Sequence, residues 1–177
     1  VPSFLITDII QAVCKKGGIT MGSAPYKSFL EAIRAREKEF VQRAIDAAAN
    51  SYSPYSGFPV GACLVWGDPD QGDGISFSVG CNVENSFYVC GHAEQAAAMS
   101  GIVAGYRRLL AAYVACTRPE PGSPVELVMP CGLCRQWLSE FVSEGQDAEI
   151  AIVDRNGAVR ARFQLVAELL PHPFRLK

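Results

Sequence analysis

Val60-Gly61-Ala62-Cys63-Leu64-Val65-Trp66, then Ile75-Ser76-Phe77-Ser78-Val79-Gly80-Cys81-Asn82, then His92-Ala93-Glu94-Gln95-Ala96-Ala97-Ala98 read in succession as strand, strand and helix. The first two runs are bounded by turn-forming residues. Gly67 to Gly74 between them is rich in Gly, Asp and Pro, which predicts an antiparallel hairpin with a longish loop. The third run is Ala-rich and predicts a helix to about Ile102. Upstream, Phe29, Leu30, Ile33, Phe40, Val41, Ala44, Ile45 and Ala48 recur near helical spacing, so one long helix is expected over 26–50. The run Ser53-Pro54-Tyr55-Ser56-Gly57 ends it. Residues 3–16 predict a short amphipathic helix, with Ser3 as N-cap and Gly17-Gly18 as its stop. Downstream come a strand over 111–117, a Pro-rich loop over 118–124, and a helix from Pro130 or Cys131 to about Ser143. Strands over 149–154 and 159–163 flank an Asn156-Gly157 turn, and a last helical turn or two falls within 163–170. The order αββαβαββα predicts an α/β fold, a three-layer α/β/α sandwich around one mixed sheet of about five strands.

The 177 residues are long enough for one domain with a full core, and 49% apolar against 19% charged residues is the balance of a well-packed one. A net charge of −2 leaves no basic footprint for nucleic acid. No apolar run is long enough to span a membrane. Val1 to Lys16 has no basic region ahead of an apolar segment, so no export signal is expected. Seven cysteines, an odd number in a chain with an ordinary core, point to a reducing, cytoplasmic setting rather than a disulfide scaffold. The mixed run Arg34-Ala35-Arg36-Glu37-Lys38-Glu39 is read as a solvated helix face.

Chemistry concentrates in Cys90-Gly91-His92-Ala93-Glu94-Gln95 and Pro130-Cys131-Gly132-Leu133-Cys134. Cys131 and Cys134 share one face of a helix; in its first turn both thiolates gain from the helix dipole and free N–H groups. Pro130 suits the entry, where its missing N–H costs nothing. Alone, Cys-x-x-Cys leaves a redox pair, half a zinc knuckle or coincidence open. His92 and Glu94 diverge by roughly 200° on a regular helix. They converge only if His92 stands at the very start of the helix, which Gly91 permits. His92, Cys131 and Cys134 then give one zinc ion three protein ligands, whereas a structural zinc closes with four. Cys90 is a competing ligand; His172, between two prolines, is an ordinary surface or core residue. Glu94, beside the ligands but not one of them, carries the catalytic protons. His-x-Glu with Pro-Cys-x-x-Cys is the signature of zinc deaminases.

Three stretches together resemble the cytidine deaminase family: residues 52–62, Gly80-Cys81-Asn82-Val83-Glu84-Asn85, and the zinc motifs. The ending Glu168-Leu169-Leu170-Pro171-His172-Pro173-Phe174 is similar to that family as well. The likeness spans roughly residues 36–174. It divides the chain into an N-terminal extension, residues 1–35, partly helical, and a catalytic domain, residues 36–177. It implies zinc-dependent hydrolysis of cytidine and deoxycytidine to the uridines plus ammonia, in pyrimidine salvage. It further implies that Asn82 and Glu84 hydrogen-bond the 3'-hydroxyl side of the ribose, and that Phe58 sits beside the base. The Ala93 backbone contacts the pyrimidine edge, and Phe174 stacks on the base from its own or a neighbouring subunit. Tyr88 forms part of the pocket wall, and the Met129 carbonyl receives the leaving amine.

Two departures from the family pattern occur together. Single-domain members carry Cys where this chain has His92, and Arg where it has Gln95. Three thiolates around zinc total −1, which an Arg offsets; one neutral His brings the total to zero, and an uncharged Gln suits it. The His ligand is the habit of longer, dimeric members, whereas single-domain members form tetramers, so a homo-oligomer is expected with a tetramer favoured. Other readings are a deaminase of another small substrate such as a nucleoside antibiotic, a polynucleotide base editor, and a non-catalytic zinc-stabilised module. Intact Asn82-Val83-Glu84-Asn85 weighs against the first, the absent basic patch against the second, and Glu94 against the third.

Overall fold

The computed structural model describes residues 24–68, 74–87, 89–120 and 122–176. The expected helix over 3–16 and its glycine stop lie outside them. The described elements are helices α1 (Ala24–Ala35) and α2 (Glu37–Ala49), strands β1 (Val60–Gly67) and β2 (Ile75–Cys81), helix α3 (Ala93–Val103) and strand β3 (Leu109–Cys116). A 3-10 turn (Val125–Leu127), helix α4 (Gly132–Ser139), strands β4 (Glu149–Val153) and β5 (Val159–Gln164) and a π-helical turn (Leu165–Leu169) complete the order.

The five strands form one mixed sheet in the order β2-β1-β3-β4-β5, with β3 and β4 parallel and every other pair antiparallel. Period-2 alternation divides the core between its faces. Ala62, Leu64 and Trp66 of β1 and Ile150 and Ile152 of β4 pack with Ala93, Ala97 and Leu138 from α3 and α4. Cys63, Val65, Ala151 and Val153 pack on the other face with Ile33, Phe40, Val41 and Ala44 from α1 and α2. Central strands buried on both sides and helices on both faces make the expected α/β/α sandwich.

Where one helix was expected over 26–50, the structure breaks it at Arg36, whose φ of −104° and ψ of 8° leave the helical region. The apolar stripe explains the position. After Ile33 the core-facing places three and four residues on are Arg36 and Glu37, both charged. Glu37 uses the break to accept hydrogen bonds from the Tyr113 hydroxyl at 2.9 Å and from Arg162 at 2.9 Å. Arg34 reaches Glu149 at 2.5 Å, and Arg162 meets the same carboxylate at 2.7 Å. The mixed-charge run is therefore in part an ion-pair network clasping the sheet, not merely a solvated face. The Cys-bearing helix is also shorter than expected, ending at Ser139.

β2 and β3 both run antiparallel to β1, and so in the same direction. The helices that follow them, α3 and α4, accordingly start at the same end of the sheet. Glycine lets α3 sit close: a Cβ on Gly80 would lie 2.3 Å from Ala97 N and 2.7 Å from Ala93 O. Trp66 donates to the Ser78 hydroxyl at 2.8 Å, which donates to Ala97 O at 2.7 Å, tying β1, β2 and α3 together.

Candidate active site

Both metal-binding motifs begin at helix N-caps. His92 precedes α3 with φ −82° and ψ 150°, and Cys131 precedes α4 with φ −68° and ψ 166°. These extended conformations resolve the spacing problem: His92 is not yet on the helix, so it need not point away from Glu94. Gln95 accepts the His92 backbone N–H at 3.4 Å, half of a capping box. Cys134 lies in the first turn of α4, fully buried. Two helix N-termini thus meet at one point, and their dipoles favour negative charge there.

Cys134 Sγ lies 3.2 Å and Cys131 Sγ 3.4 Å from His92 Nδ1, and the donor atoms all fall within 4.8 Å of one another. Tetrahedral zinc with Zn–S near 2.3 Å and Zn–N near 2.0–2.1 Å sets such separations at about 3.5–3.8 Å, so the donors fit that ion closely. Burial first, then the charges of Glu94 and Cys131, push the Cys134 thiol far above its ordinary range; a cation bound between the donors is what would reverse that and hold it as thiolate. Cys90 lines the neighbouring cavity but is not one of the clustered donors. His172 is exposed.

The cluster opens into a cavity of about 350 Å³. Glu94, 5% exposed, lines it beside His92 and Cys131. Asn82, Glu84, Phe58 and Ala93 line it too, as does Met129. Backbone pairing gathers these segments: Tyr52 bridges Val83, and Val83 bridges Gly91. Glu84 N–H donates to Tyr52 O at 2.8 Å, and Gly91 N–H to Val83 O at 2.9 Å. Asn82 Oδ1 accepts from Ser51 Oγ at 2.6 Å and Val60 N at 2.8 Å, and its Nδ2 donates to Phe58 O at 2.9 Å. Glu84 accepts from the Ser56 hydroxyl, from Tyr55 N at 2.9 Å and from Ser56 N at 3.1 Å. The Ser56 hydroxyl, then the Ser56 and Tyr55 amides, hold the Glu84 carboxyl below the usual carboxylate range against the opposing effect of burial.

One expected site residue among the described ones is not brought together with the rest. Phe174 is 67% exposed and does not line the cavity of its own chain; Gln136 fixes its backbone through bonds of 2.8 and 2.9 Å. Tyr88 lies outside the described residues. Conversely, Ser56, Leu127 and Val128 line the cavity and were not singled out from sequence. Ser56 read there as a turn residue only; its partner Glu84 lies 28 positions away.

The sequence and the fold both match a known family. Residues 34–145, more than half of the chain, match the family described as the cytidine and deoxycytidylate deaminase zinc-binding region. The chain belongs to this deaminase family. Among curated relatives, a cytidine deaminase of Sporosarcina psychrophila is 34% identical over 129 residues, covering 72% of this chain and 83% of the relative. Among solved structures, the cytidine deaminase from Burkholderia pseudomallei superposes with a TM-score of 0.61 at 34% identity, over 77% of this chain and 97% of that one. The cytidine deaminase from Mycobacterium tuberculosis gives a TM-score of 0.58 at 33% identity, over 79% and 98%. The deaminase fold is thus the sandwich described above, and zinc is the metal that suits its donors.

Proposed function

We propose that this deaminase hydrolyses cytidine and deoxycytidine to uridine and deoxyuridine with release of ammonia, a step of pyrimidine salvage. The observation that carries the reading is a buried carboxylate, Glu94, beside a three-donor metal cluster in a cavity that also holds Asn82 and Glu84. His92, Cys131 and Cys134 hold the zinc. When bound, the ion supplies Lewis acidity that lowers the pKa of water toward about 7. Glu94, kept from bulk solvent, takes one proton from water and passes it to the ring nitrogen as the water oxygen bonds to the amidine carbon. It then carries that oxygen's second proton to the amine, so that the C–N bond breaks and ammonia leaves.

Asn82 and Glu84 bind the ribose. With three of its hydrogen-bonding positions committed, Asn82 retains an N–H to offer a substrate oxygen; Glu84 retains acceptor capacity for a hydroxyl. A ligand lacking that hydroxyl leaves the carboxylate partly unpaired, which is how such a site selects. Phe58 and the Ala93 backbone contact the base, and the Met129 carbonyl receives the amine. Among the described lining residues there are two carboxylates and neither Lys nor Arg, which favours an uncharged nucleoside over a nucleotide.

We read residues 1–35 as an extension whose helical end docks on the catalytic domain, and place the enzyme in the cytoplasm, where its described cysteines, all free, stay reduced. No helix among the described residues is long and apolar enough to cross a membrane. We read the protein as a homo-oligomer, with the tetramer favoured, and exposed Phe87, Val103 and Leu176 are free for subunit contacts in it.

The decisive experiment is Glu94→Gln in the zinc-loaded protein, followed by the ultraviolet change on deamination. Zinc content and fold are expected to stay while kcat falls roughly 10²–10⁴-fold. Full activity in the variant, or no cytidine turnover by the zinc-loaded wild type, would sink the reading.

A further inference from the structure

Arg118 follows β3 and takes no part in the chemistry described so far. Its guanidinium donates to the backbone carbonyl of Ser56, 62 positions earlier in the chain. It also lies against Gly57: a Cβ there would sit 3.5 Å from Arg118 Nη1. Gly57 has φ +57°, a left-handed conformation that glycine adopts without strain. Its N–H closes the turn onto Ser53 O at 2.9 Å.

That turn presents three donors to Glu84, namely the Ser56 hydroxyl and the amides of Tyr55 and Ser56. The Ser56 hydroxyl oxygen in turn accepts from Phe58 N at 3.0 Å. Pro54, Tyr55, Ser56 and Gly57 are all exposed, so core packing does not fix them. On one side the turn is held by the pairing of Tyr52 with residues 82–84. The side chain that grips it from across the fold is Arg118. A guanidinium suits this task because its charge strengthens the bond to a carbonyl and its planar fork is rigid.

We propose that Arg118 is a positioning residue for nucleoside recognition: by clamping the Ser53–Gly57 turn it holds Ser56 and Tyr55 on Glu84, and so aims that carboxylate at the ribose. This rests on the reading of Glu84 as a ribose ligand. Arg118 itself never meets the substrate, and its removal should weaken binding rather than proton transfer.

The test uses full-length, zinc-loaded Arg118→Ala, with Arg118→Lys as the conservative variant. Each is assayed with cytidine and with 3'-deoxycytidine, and the Glu84 side-chain carboxyl is titrated by carbon NMR without nucleoside. For Arg118→Ala the KM for cytidine should rise roughly tenfold, the scale of one charge-assisted hydrogen bond. The kcat and zinc content should change little, and the KM for the 3'-deoxy analogue should barely move. The Glu84 carboxyl should titrate at higher pH than in the wild type, and Lys should restore part of both effects. An unmoved Glu84 titration overturns the proposal, as does equal weakening of both substrates. If the titration moves but the KM for cytidine does not, the proposal also fails. The fault then lies in Glu84 as ribose ligand, since the clamp itself will have been demonstrated.

Discussion

Glu84 and Glu94 are two buried carboxylates lining one cavity, and their neighbours assign them different work. Glu84 is fixed by three donors, which favour its charged form and leave it a poor proton carrier. Glu94 lies against the Cys134 thiol at the metal cluster, where the proposed reaction needs protons to move. The sign of the Glu84 shift gives a pH prediction. Its folded-state carboxyl titrates below the ordinary Glu value of about 4.3, so what the ion contributes to binding is present above that value and lost only as pH falls through the lower one. The KM for cytidine should therefore stay flat through mildly acid pH, and Ser56→Ala should move the acid rise in KM to higher pH. A rise already centred near the free Glu value in the wild type would contradict this. His92, Glu94, Cys131 and Cys134 were legible in the sequence because each motif is local and its spacing encodes a helix start. Ser56 was not, because hydroxyl and carboxylate meet only through the bridge between Tyr52 and Val83. Gln95 was legible as a charge-neutral companion of His92, but not as the side chain that also caps its N–H.

At the level of elements, α3 carries Glu94 and follows His92, and its placement depends on a glycine in the neighbouring strand. Gly80 has only 2.3 Å between an added Cβ and Ala97 N, with Ala93 O at 2.7 Å and Ala96 C at 2.7 Å, all helix backbone rather than movable side chain. Gly80→Ala must therefore push α3 off the sheet. Overpacking of this kind costs about 1–3 kcal/mol, read as a lowered denaturant midpoint. Because His92 moves with the helix while Cys131 and Cys134 stay on α4, zinc affinity should fall as well. A variant with wild-type stability and wild-type zinc retention in a chelator competition would show that the helix is not seated this way. The hairpin, the start of α3 and the two-faced burial of the central strands were readable from period and turn residues. The break at Arg36 was not, since the partners that stabilise it, Tyr113 and Arg162, lie 76 and 125 positions from Glu37.

Over the whole molecule, the network of Arg34, Glu37, Glu149 and Arg162 ties α1 and α2 to the far strands β4 and β5. The core on that face includes Ile33, so α1 is built into the sandwich. Assembly is argued from the opposite kind of residue, the apolar side chain left outside. Phe174 is well exposed and does not line the cavity of its own chain, yet an aromatic ring is what a pyrimidine base would stack on. A neighbouring copy resolves the conflict if its Phe174 closes this chain's cavity. Light scattering should then give the mass of a tetramer, and Phe174→Ala should raise the KM for cytidine roughly tenfold, the scale of one base–aromatic stack. Mixing decides whose site the ring serves. Subunits carrying Phe174→Ala, refolded together with inactive Glu94→Gln subunits, should regain part of the wild-type KM, because an intact Glu94 then receives a ring from its neighbour. A monomeric mass at assay concentration, or no recovery in hybrids proven to form, would return Phe174 to its own chain.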